Sequence, residues 1–209
     1  MAHLKKVDHI TYACEKGSIE RWAWFHIEVE GGTLINRIDD VRPDDPASSM
    51  KLWCIDFGGF GVALIEGIDR AERSQVTSFT ERHGDHSCQH VAYETHDLDT
   101  FTAHVQQMGG SVRGPKLVRH DGFGVLEQLF ARGYAEGGAD EVPFPEYVQR
   151  PEAGAGDEVA ITFAAETGKG FYAQIADAVA EDDHEPFFDF SAMPKDWTVP
   201  EPAPRADAA

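Results

Sequence analysis

The chain has 209 residues, 42% of them hydrophobic, enough to bury a substantial core as one large domain or two small ones. Its 18 basic and 37 acidic residues give a net charge of −19, which repels nucleic acid and anionic membranes and excludes both as expected partners. No apolar run approaches the ~18 residues that span a bilayer, and the first residues lack the apolar stretch of a signal peptide. We therefore expect a globular, cytoplasmic protein.

Two patterns that could suggest metal or disulfide chemistry have plainer explanations. Cys14, Cys54 and Cys88 are widely spaced and form no CxxC pair, so we expect three buried free thiols. His83 and His86 form an HxxH pair in a loop with Gly and Asp, where solvent exposure is more frequent than a metal site. Neither pattern is used further in the functional hypothesis.

Two long stretches of the chain share one pattern. They begin at Val7, with VDHITYACEKGSIERWAWFHIEVEGGTL, and at Cys88, with CQHVAYETHDLDTFTAHVQQMGGSV. Each contains a His, a β-branched residue, any residue and a Tyr, and then an amphipathic stretch that Gly-Gly closes. Self-similarity over such a length indicates a duplicated supersecondary unit.

The elements of the first copy follow from the spacing of its apolar residues. Alternation over residues 7–13 predicts a strand, and apolar residues three and four apart over 19–29 predict a helix, with Ser18 as a candidate N-cap. Three short strand-like runs separated by turn residues follow, at 33–38, 51–57 and 61–65.

The second copy repeats this order. Its first run, from Cys88, predicts a strand, and residues 98–108 predict a helix that begins after Asp97. Three further strand-like runs follow, at 111–119, 125–131 and 144–149. The glycine clusters between the runs lack the spacing of phosphate-binding loops, so we interpret them as hairpin turns.

The sequence therefore predicts an α+β fold of two βαβββ modules. Module one spans about residues 5–70 and module two about residues 86–150. A closing helix at about 166–181 completes a single domain of residues 1–181. The acidic, Pro-rich tail at 182–209 is expected to be poorly ordered unless aromatic residues dock it.

Two histidines, His9 and His90, occupy the same position in the two copies. A single such residue is usually a hydrogen-bonded core histidine, whereas a matched pair on related strands favours a shared metal. Glu146 interrupts an apolar and aromatic strand, and a buried carboxylate needs a cation nearby. That cation is either a metal held with both histidines or Arg150, four residues further along the same strand.

Four stretches of the sequence resemble the C-terminal catalytic half of the 4-hydroxyphenylpyruvate dioxygenases, a family of the vicinal oxygen chelate superfamily. They are VDHITYA, SQVTSFTERHGDHSCQHVAYETHDL, VLEQLF and PFPEYVQR. A fifth, GKGFYAQIADAVAE, is similar to the closing helix of that family. Together they extend over about residues 7–181, with gaps. The resemblance implies that the two modules form an open, barrel-like sheet that encloses a metal.

The resemblance implies that His9, His90 and Glu146 are the ligands of iron(II), the facial triad of non-haem oxygenases. It also implies the reaction class, an oxygenation in which iron(II) binds a chelating substrate and activates O2. The expected partners are thus O2 and a small organic molecule, such as an α-keto acid or a catechol.

The same resemblance assigns residues to the substrate pocket. Gln128 matches a pocket glutamine, and Gln149 matches the glutamine of a Gln-Arg pair. Phe171 and Tyr172 stand in the closing helix where the family has Gly-Asn-Phe, and we expect both at the substrate. Glu66 replaces a pocket asparagine, so its carboxylate is expected to face the metal cavity.

Glu66 opens a second class of function. Epimerases, isomerases and lyases of the superfamily use an acid on this strand as a fourth ligand or a base, beside manganese, cobalt, nickel or zinc. A third reading is a protein that binds a small molecule without catalysis. Glu66 could also pair with a nearby cation or lie in water. Substrate and oligomeric state, a homodimer included, stay open.

Overall fold

The computed structural model describes residues 3–121, 124–151, 165–181, 183–185 and 187. The strands are β1 (Leu4–Cys14), β2 (Thr33–Ile38), β3 (Ser48–Asp56), β4 (Gly61–Asp69), β5 (Ser87–Thr95), β6 (Val112–Asp121), β7 (Gly124–Ala131) and β8 (Phe144–Gln149). The helices are α1 (Ile19–Trp24), which continues as a π-helix (Phe25–Val29), α2 (Gln75–His83), α3 (Leu98–Gln107) and α4 (Ala165–Ala180). No helix in these ranges is long and apolar enough to cross a membrane.

All eight strands form one curled sheet, a half-barrel, in the order β2-β3-β4-β1-β5-β8-β7-β6. In each half the first strand pairs in parallel with the fourth, β1 with β4 and β5 with β8. The two halves meet where β1 and β5 pair antiparallel at the centre of the sheet. The predicted α+β fold with two βαβββ units is confirmed. The boundaries of the modules and of the domain at residue 181 remain predictions.

The helices lie on both faces of the sheet. Residues of α1 pack with the outer face of β3 and β4, and those of α3 with β7 and β8. Residues of α2 and α4 contribute to the largest apolar cluster, together with the strand residues of the inner face. The inner face is therefore enclosed, and the site described below lies there.

One helix start agrees with prediction, and one helix was not predicted. Ser18 is the N-cap of α1, as expected, although its hydroxyl makes no capping hydrogen bond and donates to Asp85 instead. The sequence pattern missed α2, whose N-cap is Ser74 and whose last residue is His83. This helix is short, and its buried positions include the polar residues Gln75 and Thr80, so its apolar periodicity is weak.

The cysteine prediction is confirmed for Cys14 and Cys54 and wrong for Cys88, which is exposed. Cys88 lies just beyond an irregularity in the pairing of β1 with β5, where the alternation of faces changes. In the predicted tail, Phe187 docks through backbone hydrogen bonds with Ser111 and Gly133. The part of the tail after residue 187 lies outside the described residues.

Candidate metal centre

Three buried side chains, His9, His90 and Glu146, converge on one point of the inner face. Oε2 of Glu146 lies 3.4 Å from Nε2 of His9 and 3.1 Å from Nε2 of His90. All three donor atoms lie within 4.8 Å of one another, and none of the residues is more than 3% exposed. The structure thus brings together the three residues predicted as ligands.

The sheet register explains how these side chains meet. His9 in β1 is the neighbour of Ala92 in β5, and Ala92 is in turn the neighbour of Glu146 in β8. Directly paired residues point to the same face of a sheet, so His9 and Glu146 flank Ala92 in one row. The methyl group of Ala92 leaves the space in which they converge. His90 stands in the next row, opposite Thr11.

Each histidine has a hydrogen-bond acceptor at its Nδ1 atom. Nδ1 of His9 donates to Oδ1 of Asp8 over 2.7 Å, and Nδ1 of His90 donates to Oε1 of Gln89 over 3.1 Å. With Nδ1 engaged as a donor, Nε2 is the atom of each ring that faces the cluster, and it can bind a metal once it is deprotonated.

The electrostatics of the cluster favour a cation. Burial lowers the pKa of His9, but the carboxylates of Glu146 and Asp8 outweigh burial and raise this pKa to about 9. Burial raises the pKa of Glu146, but both histidines outweigh it and lower this pKa to about 2. His90, beside a neutral amide, has a lowered pKa because burial dominates. The site thus stabilises a positive charge next to Glu146, and a divalent cation would take the place of the proton on His9.

Two neutral side chains complete the polar surroundings of the cluster. Nε2 of Gln128 donates to Oε1 of Glu146 over 2.8 Å, which leaves Oε2 to face the histidines. The hydroxyl of Thr11 lies 2.8 Å from Nε2 of His90. The sequence analysis missed Thr11, because its pairing with His90 depends on the register of β1 and β5.

The cluster lines a narrow cavity on the inner face of the sheet. Apart from the cluster, Thr11 and Gln128, its described lining is apolar or glycine: Leu52, Ala63, Ile65, Phe130, Gly168 and Phe171. The ring of Phe171, on α4, lies 5.3 Å from that of His90, centroid to centroid. The structure therefore places Gln128 and Phe171 beside the cluster, as expected from the sequence.

Glu66 does not face this cavity, and the expectation that it would is wrong. Its Oε2 accepts hydrogen bonds from the backbone N–H groups of Gly17 and Ile19, and its Oε1 pairs with Nζ of Lys51 over 2.6 Å. In a strand, neighbouring residues point to opposite faces. Ile65 lines the cavity, so Glu66 points to the outer face, where it ties the β1–α1 loop to the sheet.

Gln149 and Tyr172 are also displaced from their expected places. Gln149 lies three residues after Glu146 and thus on the outer face, where its Oε1 accepts from the backbone N–H of Leu98 at the start of α3. Tyr172 is 1% exposed and packs in the core; its hydroxyl lies within hydrogen-bonding distance of Ser48 and Ser74. Gln149 thus contacts the start of α3, and Tyr172 connects α4 to β3 and to the N-cap of α2.

The second explanation for Glu146, an ion pair with Arg150, is wrong, because Arg150 pairs with Asp8. Nε and Nη2 of Arg150 donate to the two carboxylate oxygens of Asp8, over 2.8 and 2.9 Å. The two residues are 7% and 1% exposed. Arg150 thus pairs with the carboxylate that holds His9, a contact that the sequence does not suggest because the residues are far apart in the chain.

The HxxH histidines lie away from this centre. His83 is exposed, as expected, whereas His86 is half-buried, stacked between the rings of Tyr12 and Trp22 at centroid distances of 4.2 and 3.9 Å. The described part of the chain contains no second group of three metal-ligating side chains.

Solved structures share this fold. A variant of 4-hydroxymandelate synthase from Streptomyces coelicolor overlaps with a TM-score of 0.60 at 21% identity, over 81% of this chain and 55% of the synthase. A fusion of a xylose isomerase-like TIM barrel with 4-hydroxyphenylpyruvate dioxygenase gives 0.57 at 17% identity, over 87% and 30%. The hypothetical protein BH1468 from Bacillus halodurans C-125 gives 0.52 at 17% identity, over 71% and 96%.

The chain therefore shares its fold with the synthase and with the dioxygenase fusion protein. It spans about half the length of the synthase and less than a third of the fusion protein. No protein-family model and no curated protein matches the sequence. At such identities the overlap establishes a shared fold, and one fold hosts many reactions.

Proposed function

We propose that the chain is an iron(II)-dependent dioxygenase, that His9, His90 and Glu146 hold the metal, and that the substrate is a small organic molecule with two vicinal oxygen donors. The carrying observation is the buried cluster of two imidazoles and one carboxylate with donor atoms within 4.8 Å of one another. This ligand set, with further positions open, is that of non-haem iron(II) oxygenases. Iron(II) bound there supplies redox chemistry with O2 and a Lewis acid for the oxygens of the substrate.

The residues around the cluster hold the ligands and exclude water. Gln128 fixes the carboxylate of Glu146 through a hydrogen bond of 2.8 Å, so that one oxygen stays turned toward both histidines. Phe130 and Phe171 cover the cluster from β7 and α4 with apolar surface. Apolar surroundings of this kind strengthen the charge interactions at the reacting atoms.

The lining of the cavity narrows the class of substrate. Among the described residues that line it, the only titratable side chains are the three proposed ligands. No lysine or arginine in this lining would neutralise an acidic group at the far end of a substrate. We therefore expect an α-keto acid or a catechol whose chelating oxygens bind at the metal and whose remaining part is apolar.

The alternative, a metal-dependent epimerase, isomerase or lyase, needs a side chain that moves a proton. Glu66, the residue proposed for that task, lies on the outer face of the sheet and pairs with Lys51. Thr11 and Gln128, the other polar residues of the described lining, are not bases near neutral pH. The lining thus favours oxygen chemistry.

The test is to purify the protein without oxygen, load it with iron(II), and measure metal content and O2 uptake with α-keto acids and catechols. We expect one iron for each chain and O2 uptake that depends on substrate. His90→Ala should abolish both, whereas Glu66→Gln should change neither. Turnover without O2 in the presence of Mn²⁺, Co²⁺ or Ni²⁺ would contradict the proposal and support the isomerase class. Absence of metal binding would favour a non-catalytic binding protein.

A further inference from the structure

The pairing of β1 with β5 is irregular at three points, and two of these lie beside the ligand histidines, one on each strand. On β1, Val7 pairs with Tyr93 and His9 with Ala92, so Asp8 is an extra residue between two paired neighbours. Such a β-bulge leaves one residue unpaired and turns its side chain from the regular alternation.

The matching interruption lies on β5. Thr11 pairs with His90 and Tyr12 with Cys88, so Gln89 is the extra residue there. Each of the two ligand histidines is therefore preceded by a bulged residue, one in each module. Bulges are frequent beside functional sites, where they re-aim a side chain.

Both bulged side chains contact the histidine that follows. The carboxylate of Asp8 lies 2.7 Å from Nδ1 of His9, and the amide oxygen of Gln89 lies 3.1 Å from Nδ1 of His90. Asp8 is 1% exposed and Gln89 is 0% exposed. In a regular strand, neighbouring side chains point to opposite faces and could not meet in this way. The bulges allow the contact.

The two contacts differ in charge. Asp8 is an anion that Arg150 clamps through two hydrogen bonds of 2.8 and 2.9 Å, whereas Gln89 is neutral. Nε2 of Gln89 has no hydrogen-bond partner among the described residues, so the bond to His90 is what fixes this amide. A carboxylate behind an imidazole makes it a stronger ligand than an amide does.

We propose that Asp8, clamped by Arg150, and Gln89 are positioning residues that aim His9 and His90 at a divalent metal, and that the acid makes His9 the stronger ligand. This inference rests on the metal centre proposed above. Partners of this kind typically change metal affinity by roughly 10- to 100-fold.

The test compares variants by Co²⁺ binding. The dissociation constant is measured by calorimetry, the ligand geometry by the visible spectrum of bound Co²⁺, and the fold of the metal-free proteins by circular dichroism and thermal midpoint. Gln89→Leu removes the neutral partner, and Asp8→Leu with Arg150→Leu removes the charged pair. Asp8→Asn with Arg150→Gln keeps a hydrogen-bond acceptor but removes both charges.

We expect Gln89→Leu to weaken Co²⁺ binding by roughly 10-fold and the Asp8→Leu, Arg150→Leu double variant by roughly 100-fold, each with an altered spectrum. The Asp8→Asn, Arg150→Gln pair should fall between that double variant and the unaltered protein. The matched control is Lys51→Gln with Glu66→Gln, a neutralised ion pair on the outer face, which should leave Co²⁺ binding and the spectrum unchanged.

The outcomes separate this inference from the proposed function. If the unaltered protein binds no Co²⁺, the metal centre itself is overturned. If it binds Co²⁺ and the folded leucine variants keep its affinity and spectrum, the positioning roles are overturned while the metal centre stands. Should the leucine variants fail to fold, the Asp8→Asn, Arg150→Gln pair decides, because an affinity equal to that of the control overturns the role of the acid.

Discussion

Ala63 occupies the position in β4 that is equivalent to the position of Glu146 in β8. Each is the sheet neighbour of the residue two positions after a proposed ligand histidine: Ala63 pairs with Thr11, and Glu146 pairs with Ala92. Ala63 also lines the cavity. The duplicated framework therefore offers two equivalent places for a carboxylate and fills one of them.

Ala63→Glu should convert the centre into one with four protein ligands. The new carboxylate would occupy a position that substrate or O2 needs, so we expect metal binding to persist and O2 uptake to fall at least 10-fold. Iron content and oxygen consumption of the same sample measure the two effects. Ala63→Gln serves as the control of similar size without charge. Full O2 uptake by the Glu variant would show that this side of the cavity is not open to reactants.

Ala92→Val should weaken metal binding, because added methyl groups would enter the row in which His9 and Glu146 converge. Overpacking a buried site also costs roughly 1–3 kcal/mol of stability. Ala131→Val is the matched control, since Ala131 is equally buried but packs under α3 on the outer face. Calorimetric titration with Co²⁺ should show weaker binding for Ala92→Val alone. Equal affinities in both variants would count against the convergence around Ala92.

Glu66→Gln should lower stability without changing metal content. The carboxylate accepts two backbone hydrogen bonds and pairs with Lys51, and charged hydrogen bonds of this kind contribute roughly 1.5–3 kcal/mol. Urea unfolding of the metal-free protein gives the loss in the free energy of unfolding. Lys51→Gln should show a smaller loss, because it leaves the backbone hydrogen bonds intact. Loss of iron from a folded Glu66→Gln protein would show that Glu66 takes part in metal binding.

His86 should make the protein less stable as the pH falls from about 6.5 toward about 4. Burial, with a smaller contribution from His26, lowers the pKa of His86 from 6.5 to about 4. Between these values the unfolded chain takes up a proton that the folded chain does not, so acid favours unfolding. Above pH 6.5 both forms are neutral and this contribution to the pH dependence vanishes.

The variant for this prediction is His86→Asn, because residue 86 has a φ of 57° and Asn tolerates that conformation. Loss of the stacking on Tyr12 and Trp22 should cost roughly 1–2 kcal/mol at pH 7.5. The stability difference from the unaltered protein should narrow by pH 4.5. A constant difference across this range, measured by urea unfolding, would show that His86 titrates normally.

The duplication is what made the fold predictable from the sequence. The shared His pattern located β1 and β5, and β2 and β8 have the predicted bounds. The ligand cluster was predictable because matched strands place His9 and His90 alike. The face of a side chain was harder to predict: a shift of one residue in register reverses it, and for this reason Glu66 was misplaced.

Gln149 was misplaced for a second reason, since the helix that it contacts comes from a distant part of the sequence. The contact of Asp8 with Arg150, 142 residues apart, was likewise beyond any local pattern. The two bulges that turn Asp8 and Gln89 toward their histidines leave no trace in composition or spacing.

Among the described strands, only β1 and β5 join the two halves of the sheet through backbone hydrogen bonds. His9 comes from the first half, and His90 and Glu146 come from the second. An ion bound by all three residues would cross-link the two halves of the sheet. Binding of the ion should then slow amide hydrogen exchange along β1 and β5 more than along the outer strands β2 and β6. When the two halves are expressed separately, they should bind the ion only after they reassemble.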